Sequence, residues 1–419
     1  MKHLLAFIIS LFWYVAAAES THPSLLPLPQ KYSFNGKHAD GDMVLKEKYV
    51  AQIPGAKFQE EAYHLLITPE EILLEATTPK GIYWGRQTLE QLKYTEEKKT
   101  YLPQCEITDW PAFRIRGFMH DVGRSFIPVE ELKREIRLLS RYKINVFHWH
   151  LTENQAWRLE SKRYPQLNAP ENMEREKGKF YTLDEARNLV EYCGQHNMLL
   201  IPEIDMPGHS AAFERTFGCD MQSEKGTQIL RDILDEVCSA LDVPYIHIGT
   251  DEVQFTNPEF VPQMVAYVRS KGKKVISWNP GWNYQPGEID MTQLWSYRGK
   301  AQKGIPAIDC RFHYVNHFDN YADLVALFNS RIYDQPEGGD NLAGCILAFW
   351  NDRYIDNLPQ LLAENNFYPY MLTLAERAWR GGGNCYFDGK GTLLWDDEPE
   401  QLQHSRSLSI VCYGKRGIG

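Results

Sequence analysis

The sequence predicts a (β/α)8 TIM barrel preceded by a small α+β domain, and three observations support this fold class. The chain has 419 residues, which is too many for one small domain. From residue 114 onward, eight short apolar strands alternate with amphipathic helices. No G-x-G-x-x-G follows any of these strands, which argues against an open, nucleotide-binding sheet.

The composition is that of a globular protein. Hydrophobic residues make up 43% and charged residues 24% of the chain, so the core is ample and overall disorder is excluded. The net charge is −10, and no cluster of Lys and Arg offsets it. Because phosphate binding depends on such clusters, we expect no nucleic-acid partner.

Residues 1–18 have the pattern of a secretory signal peptide. Lys2 and His3 precede an apolar run over residues 4–15, and three alanines end the segment. The alternative interpretation is a buried N-terminal helix. The run is too short to cross a bilayer comfortably and no later segment is long enough, so we expect no membrane span. The pattern predicts an exported protein, whether periplasmic, extracellular or lumenal.

Residues 19–110 predict the small α+β domain. Strand-like runs over 63–67 and 72–76 are separated by a turn sequence, which indicates a hairpin. Residues 80–94 then have the periodicity of an amphipathic helix. Pro111 marks the start of the next domain.

Residues 111–385 predict the barrel. The predicted strands are 115–120, 144–150, 199–203, 245–249, 273–278, 291–295, 307–311 and 345–350, and the predicted helices are 129–142, 183–197, 227–241, 258–271, 320–329 and 368–379. The link from Trp295 to Ala307 is too short for a full helix, so one repeat is irregular. Residues 386–419 lose this periodicity and form a tail of unclear structure.

Polar and aromatic side chains gather at the carboxyl ends of the predicted strands, where barrel enzymes carry their catalytic groups. They include Glu153 and His150 after strand two, Asp205 and His209 after strand three, Asp251 and Glu252 after strand four, Tyr314 and Asn316 after strand seven, and Trp278, Trp295 and Trp350 at strands five, six and eight. Carboxylates together with aromatic walls are typical of glycoside hydrolysis.

Asp251 and Glu252 are consecutive, which limits how they can share the work. Neighbouring side chains on extended backbone diverge, so they cannot easily flank one bond as nucleophile and acid. They fit another division, in which Glu252 is the acid and Asp251 holds a group of the substrate that itself attacks. The carbonyl oxygen of a 2-acetamido sugar is such a group.

Several motifs resemble family 20 of the glycoside hydrolases, the exo-acting β-N-acetylhexosaminidases. HIGTDE at 247–252 is close to the family's H-x-G-x-D-E signature, and PEIDMPGH at 202–209 is similarly distinctive. The resemblance covers most of the chain, from the small domain through the eighth strand. It implies a retaining enzyme that removes terminal β-linked GlcNAc or GalNAc from glycans through an oxazolinium intermediate, with no cofactor and no metal.

The resemblance also implies individual roles. Asp251 would orient the acetamido nitrogen and Glu252 would be general acid, then general base. Tyr314 would hold the acetamido oxygen, three tryptophans would surround the sugar (Trp278, Trp295 and Trp350), and Arg116 would bind its distal hydroxyls. His209 and Glu153 would form a relay to the acid, supported by His150 and Asp205. Asn316 and Asp352 would contact O4 and O6. The family often has Asp at the positions of Glu153 and Asn316, and Glu at that of Asp352, which leaves gluco- versus galacto-preference open.

Three alternatives remain at this point. His148 and His150 share one face of a strand, as a metal-dependent barrel hydrolase requires, but strand eight ends on Trp350 instead of a ligand. A sugar-binding protein without turnover is the second alternative, although both acids are present. A lacto-N-biosidase, which releases a disaccharide, is the third and needs only a wider pocket.

Overall fold

The computed structural model describes residues 24–316, 324–355, 357–358 and 367–384. The predicted signal peptide, the predicted tail and two of the eight cysteines lie outside these ranges. The six cysteines within them are free thiols. Among the described helices, none is both long and apolar enough to cross a membrane.

The N-terminal unit is a six-stranded sheet with one helix. Its elements are β1 Lys31–Asp40, β2 Leu45–Tyr49, β3 Tyr63–Ile67, β4 Ile72–Ala76, α1 Pro79–Leu92, β5 Tyr94–Glu96 and β6 Lys99–Asp109. The strand order is β1-β6-β3-β4-β2, with β5 on β6. In β3 and β4 every second side chain is buried, which produces the periodicity that predicted this hairpin. β1 was missed because most of its side chains are exposed and its apolar alternation stops after Tyr32 and Phe34.

The second unit is a closed parallel barrel, which confirms the predicted fold class. Its eight strands are β7 Ile115–Asp121, β8 Val146–His150, β9 Leu199–Glu203, β10 Tyr245–His247, β11 Lys274–Asn279, β12 Met291–Leu294, β13 Ala307–Asp309 and β15 Leu342–Trp350. Neighbours along the chain pair in parallel, and β15 closes the ring by pairing with both β13 and β7.

Helices cover the outside of the barrel. They are α2 Val129–Arg141, α3 Leu183–Gln195, α4 Ala211–Phe217, α5 Glu224–Ala240, α6 Phe260–Ser270, α7 Leu324–Asn329 and α8 Tyr368–Arg380. The sequence starts α3 with a capping box, in which Thr182 and Glu185 satisfy each other's backbone N–H groups. Residues 295–306 contain no helix, as expected for the irregular repeat.

A short ninth strand, β14 Tyr314–Asn316, lies between β13 and β15 in the chain. It pairs in parallel with the carboxyl end of β15, so that Tyr314 lies opposite Ala348 and Asn316 opposite Trp350. Three residues are too few to give a periodic signal, and the strand was not predicted. Its pairing brings the predicted Tyr314 and Trp350 to the same rim of the barrel.

The barrel interior changes character along its axis. Its lower part is an apolar layer that includes Met119, Val146, Ile201, Ile276, Ile308 and Ile346. Towards the carboxyl ends of the strands the layer becomes polar, with His148, Glu203 and His247 fully buried. This polar layer lies directly beneath the loops that follow the strands.

Candidate active site

The acidic pair follows β10 on a sharply turned backbone. Gly249, Thr250 and Glu252 have φ of 66°, 85° and 49°, all in the left-handed region. A side chain at Gly249 would collide with the carboxylate of Asp205, so only glycine fits there. The turns send Asp251 inward, with 6% of the residue exposed, and Glu252 outward, with 56% of its side chain exposed. The structure therefore separates the two neighbouring acids, as their spacing predicted.

Asp251 and Asp205 form a close acidic pair beside His209. A carboxylate oxygen of each acid and a ring nitrogen of His209 all lie within 4.8 Å of one another. Burial is the main cause that raises the pKa of Asp251 to about 7, with Glu203 adding to the rise and His209 opposing it. Burial and the charge of Asp251 together raise the pKa of Asp205 well above its usual range. Both carboxylates are thus shielded from solvent and lie close to His209.

His209 connects the outer acid to a buried carboxylate. Its Nδ1 lies 2.7 Å from Glu153 Oε1, and its Nε2 lies 3.6 Å from Glu252 Oε2. Burial lowers the pKa of His209, but the nearby carboxylates, Glu153 first, outweigh it and raise the pKa to about 10. A cationic imidazole therefore faces Glu252. The predicted contact of His209 with Glu153 is present.

The predicted aromatic residues contact one another and line one side of this region. The ring centroids of Trp278 and Trp350 are 6.0 Å apart, those of Trp350 and Tyr314 are 5.5 Å apart, and those of Tyr314 and Trp295 are 6.4 Å apart. Trp278 is buried, with 1% of its surface exposed. Burial and the Asp251 charge raise the pKa of Tyr314 well above its usual range, so its hydroxyl remains a hydrogen-bond donor.

Glu203 lies below this aromatic wall and was not predicted as a site residue. Its Oε2 accepts hydrogen bonds from His148 Nε2 at 2.8 Å and His150 Nδ1 at 2.6 Å. Its Oε1 accepts the Trp278 indole N–H at 2.7 Å. Burial raises the pKa of Glu203, but the surrounding histidines hold it well below its usual range. The predicted supporting residue His150 thus acts through Glu203; burial lowers its pKa, and Glu203 raises it to about 9.

His247 belongs to the buried polar layer, and its Nε2 has no hydrogen-bond partner among the described residues. It is fully buried, its Nδ1 accepts the backbone N–H of Gly249 at 3.1 Å, and it lies 3.0 Å from Glu203 Oε1. The resemblance implied a supporting role for Asp205. In the described residues its carboxylate oxygens have no hydrogen-bond partner, and it lies in the acidic pair with Asp251.

The prediction for Arg116 is corrected by the structure. Arg116 lies near the start of β7, at the opposite end of the barrel from the acids, and its guanidinium is fully buried against Glu61 of the N-terminal unit. It donates to the carbonyl oxygen of Lys143 at 2.8 Å and stacks on Trp379 at 4.9 Å. It therefore joins the two units and cannot reach a sugar in the site.

Arg124, at the other end of the same RGFMHDVGR segment, is the arginine in the site. Its guanidinium lies 2.9 Å from Asp121, 2.6 Å from Glu153 and 3.6 Å from Asp352, and it stacks on Trp350 at 5.1 Å. The sequence held a signal for it, because catalytic groups of a barrel lie where strands end and Arg124 follows the end of β7. Asn316 and Asp352 lie on the same rim, on β14 and after β15.

Three sets of residues place possible metal-ligand atoms within 4.8 Å of one another: His148, Glu203 and His247; His150, Glu203 and Asp205; and Asp205, His209 and Asp251. In the first two sets, the oxygens of Glu203 already accept histidine and indole N–H groups. In the third set His209 already lies 2.7 Å from Glu153 Oε1 through its Nδ1. The geometry thus favours hydrogen-bonded acid–base groups.

Comparison with known proteins gives two family matches. Residues 113–218 match the model of the catalytic domain of glycosyl hydrolase family 20, and residues 19–110 match that of domain 2 of the same family. A β-hexosaminidase of Porphyromonas gingivalis is 34% identical over 237 residues, which are 49% of this chain and 30% of that protein. One of Vibrio furnissii is 36% identical over 230 residues, 46% of this chain and 38% of that protein. The matches thus span about a third of these relatives' lengths.

Solved structures share the fold. The crystal structure of a β-N-acetylhexosaminidase from Bacteroides fragilis superposes with a TM-score of 0.78 at 23% identity, covering 94% of this chain and 96% of the other. That of an exo-β-N-acetylglucosaminidase from Vibrio harveyi, in complex with N-acetylglucosamine, gives 0.74 at 22% identity, covering 94% and 78%. At this identity the likeness concerns the fold alone.

Proposed function

Because this chain belongs to family 20 of the glycoside hydrolases, we propose that it is an exported, retaining exo-glycosidase that removes terminal β-linked N-acetylhexosamine from glycans. The observation that carries the proposal is the separation of the two acids beside the aromatic wall. Asp251 faces inward and is buried, whereas Glu252 faces outward and is exposed. The β-hexosaminidase relatives and the N-acetylglucosamine complex of the Vibrio harveyi protein support the choice of sugar.

In the first step the substrate supplies its own nucleophile. The acetamido carbonyl oxygen forms a bond to C1 while the bond from C1 to the leaving oxygen breaks, and Glu252 gives its proton to that oxygen. Asp251 accepts the acetamido N–H and stabilises the positive charge that develops on the ring so formed. The tyrosine hydroxyl of Tyr314 is available to hold the acetamido oxygen in place.

In the second step water replaces the acetamido oxygen at C1. Glu252, now ionised, accepts the proton of the attacking water and returns to its starting state. Two inversions at C1 give overall retention. The cationic His209, 3.6 Å from Glu252, favours the ionised form that Glu252 must adopt between the two steps.

A set of 4-nitrophenyl glycosides tests this function. We expect turnover of the β-GlcNAc and β-GalNAc substrates and almost none of the β-glucoside and β-galactoside, which lack the acetamido group. Equal turnover of the plain glucoside would refute the acetamido mechanism while leaving hydrolase activity in place. Loss of activity in a chelator favours the metal-dependent alternative, and sugar binding without any turnover favours the inert one.

A further inference from the structure

Glu203 is a buried charge that takes no part in the bond-breaking steps. It is fully buried in the barrel and ends β9. The layer below it is apolar, with side chains such as Ile201 and Ile276 filling the barrel. An ionised carboxylate in such a place costs free energy unless donors surround it, and apolar side chains of similar volume are often at least as stable. Stability alone therefore gives no reason for a carboxylate at this position.

The contacts of Glu203 reach two parts of the aromatic wall. Its Oε1 holds the indole N–H of Trp278, and its Oε2 holds Nδ1 of His150. The His150 ring in turn packs edge-on against Trp350 at 5.1 Å between centroids. Trp278 and Trp350 also contact each other. One carboxylate thus fixes one indole directly and the other through a histidine.

We propose that Glu203 is a positioning residue, which sets the orientation of Trp278 and Trp350 and thereby the shape of the pocket that receives the 2-acetamido group. This inference rests on the proposed function. Its physical basis is that attack on C1 needs the carbonyl oxygen within bonding distance and in line, and a misplacement of about 1 Å costs about 100-fold in rate. Rigid support beneath the contacting side chains keeps that geometry.

The test is a double-mutant cycle with Glu203→Gln and Trp278→Phe, measured as kcat and KM on 4-nitrophenyl β-GlcNAc. Trp278→Phe removes the indole N–H and keeps an aromatic ring. We expect each single variant to lose about 10- to 100-fold in kcat/KM, mostly in kcat. The double variant should lose no more than about 3-fold beyond the less active single variant, because both changes act on the same hydrogen bond: Gln removes its charge and Phe removes its donor.

Glu135→Gln is the matched control. Glu135, on α2, is an equally buried carboxylate, and its side chain pairs with His120 Nδ1 at 2.8 Å. We expect it to lower thermal stability as Glu203→Gln does and to keep kcat/KM within about 3-fold of the parent.

The outcomes separate the two proposals. Absence of parent turnover on every glycoside overturns the proposed function and this inference with it. Parent turnover with kcat/KM of Glu203→Gln equal to that of Glu135→Gln, or with fully multiplicative losses in the double variant, overturns only the role of Glu203. If Glu203→Gln does not fold, Trp278→Phe decides, since an unchanged kcat in this variant contradicts the inference.

Discussion

The two ends of the barrel both bury charged side chains, but they satisfy them differently. At the amino ends of the strands, Arg116 pairs with Glu61, and Lys143 lies 2.8 Å from Asp109, which also accepts the Trp379 indole N–H. At the carboxyl ends, Asp205 and Asp251 lie close together, and oxygens of both lack a hydrogen-bond partner among the described residues.

The difference shows that burial of a charged side chain does not by itself indicate a functional site. A charge that is fully paired in a closed network joins structural units, as at the Arg116 end. A charge that is buried with unused hydrogen-bonding capacity, and with a displaced pKa, is prepared to bind or transfer something else. The paired charges at the amino ends of the strands therefore stabilise the fold, and the acids at the carboxyl ends form the candidate site.

The largest expected effect concerns the outward acid. Glu252→Gln should lower kcat/KM by about 100- to 10,000-fold, because the leaving oxygen no longer receives a proton. Thermal stability should stay at the parent value, since the side chain is 56% exposed. The exposed Glu259→Gln is the control for a lost surface charge. Parent-like activity of Glu252→Gln on an alkyl glycoside would contradict the assignment.

The two arginines of RGFMHDVGR should differ in their effect on activity. Arg116→Met should lower the free energy of unfolding by about 3–5 kcal/mol, because it leaves the carboxylate of Glu61 buried without its partner. At a temperature where it remains folded, its kcat/KM should match the parent. Arg124→Met should lower kcat/KM by about 100-fold. It also leaves the buried carboxylates of Asp121 and Glu153 without this partner, so its free energy of unfolding should fall as well. Denaturant unfolding and steady-state kinetics measure both quantities, and a loss of activity in Arg116→Met as large as that in Arg124→Met would break the comparison.

Asp251→Asn should stabilise the protein while reducing its activity. The pKa of Asp251 is about 7 in the folded state and about 3.9 in the unfolded chain. Folding therefore takes up a proton between these values, so stability falls as pH rises through this window. We expect the variant to melt about 2–4 °C above the parent at pH 8 and level with it near pH 3.5. A lower melting temperature at pH 8 would show that Asp251 is satisfied in the native state.

The smallest effect is expected at an exposed ion pair near the amino ends of the strands. Lys57 of the N-terminal unit pairs with Glu337, and their side chains are 60% and 47% exposed. Lys57→Ala should change the free energy of unfolding by less than about 1 kcal/mol, since solvent screens the pair. A loss as large as that of Arg116→Met would mean that burial is not what separates the two kinds of contact.

The sequence was most informative where the signal is local. Strand and helix periodicity located the barrel, and the carboxyl ends of its strands located the acids and the aromatic wall. It failed where the signal is weak or distant: β1 is exposed, β14 has three residues, and the contacts of Glu203 join β8, β9, β10 and β11. Arg116 and Arg124 share one segment. Arg116 lies near the start of β7 and Arg124 follows its end, so the direction of β7 through the barrel decides which arginine reaches the site.

The central claim is that the substrate's own acetamido oxygen attacks C1. Replacing the N-acetyl group of a 4-nitrophenyl β-glucosaminide with mono-, di- and trifluoroacetyl groups withdraws electrons from that oxygen and weakens it as a nucleophile, while the leaving group stays constant. The account predicts that kcat/KM falls with each added fluorine. A series that stays level across all four substrates would contradict it.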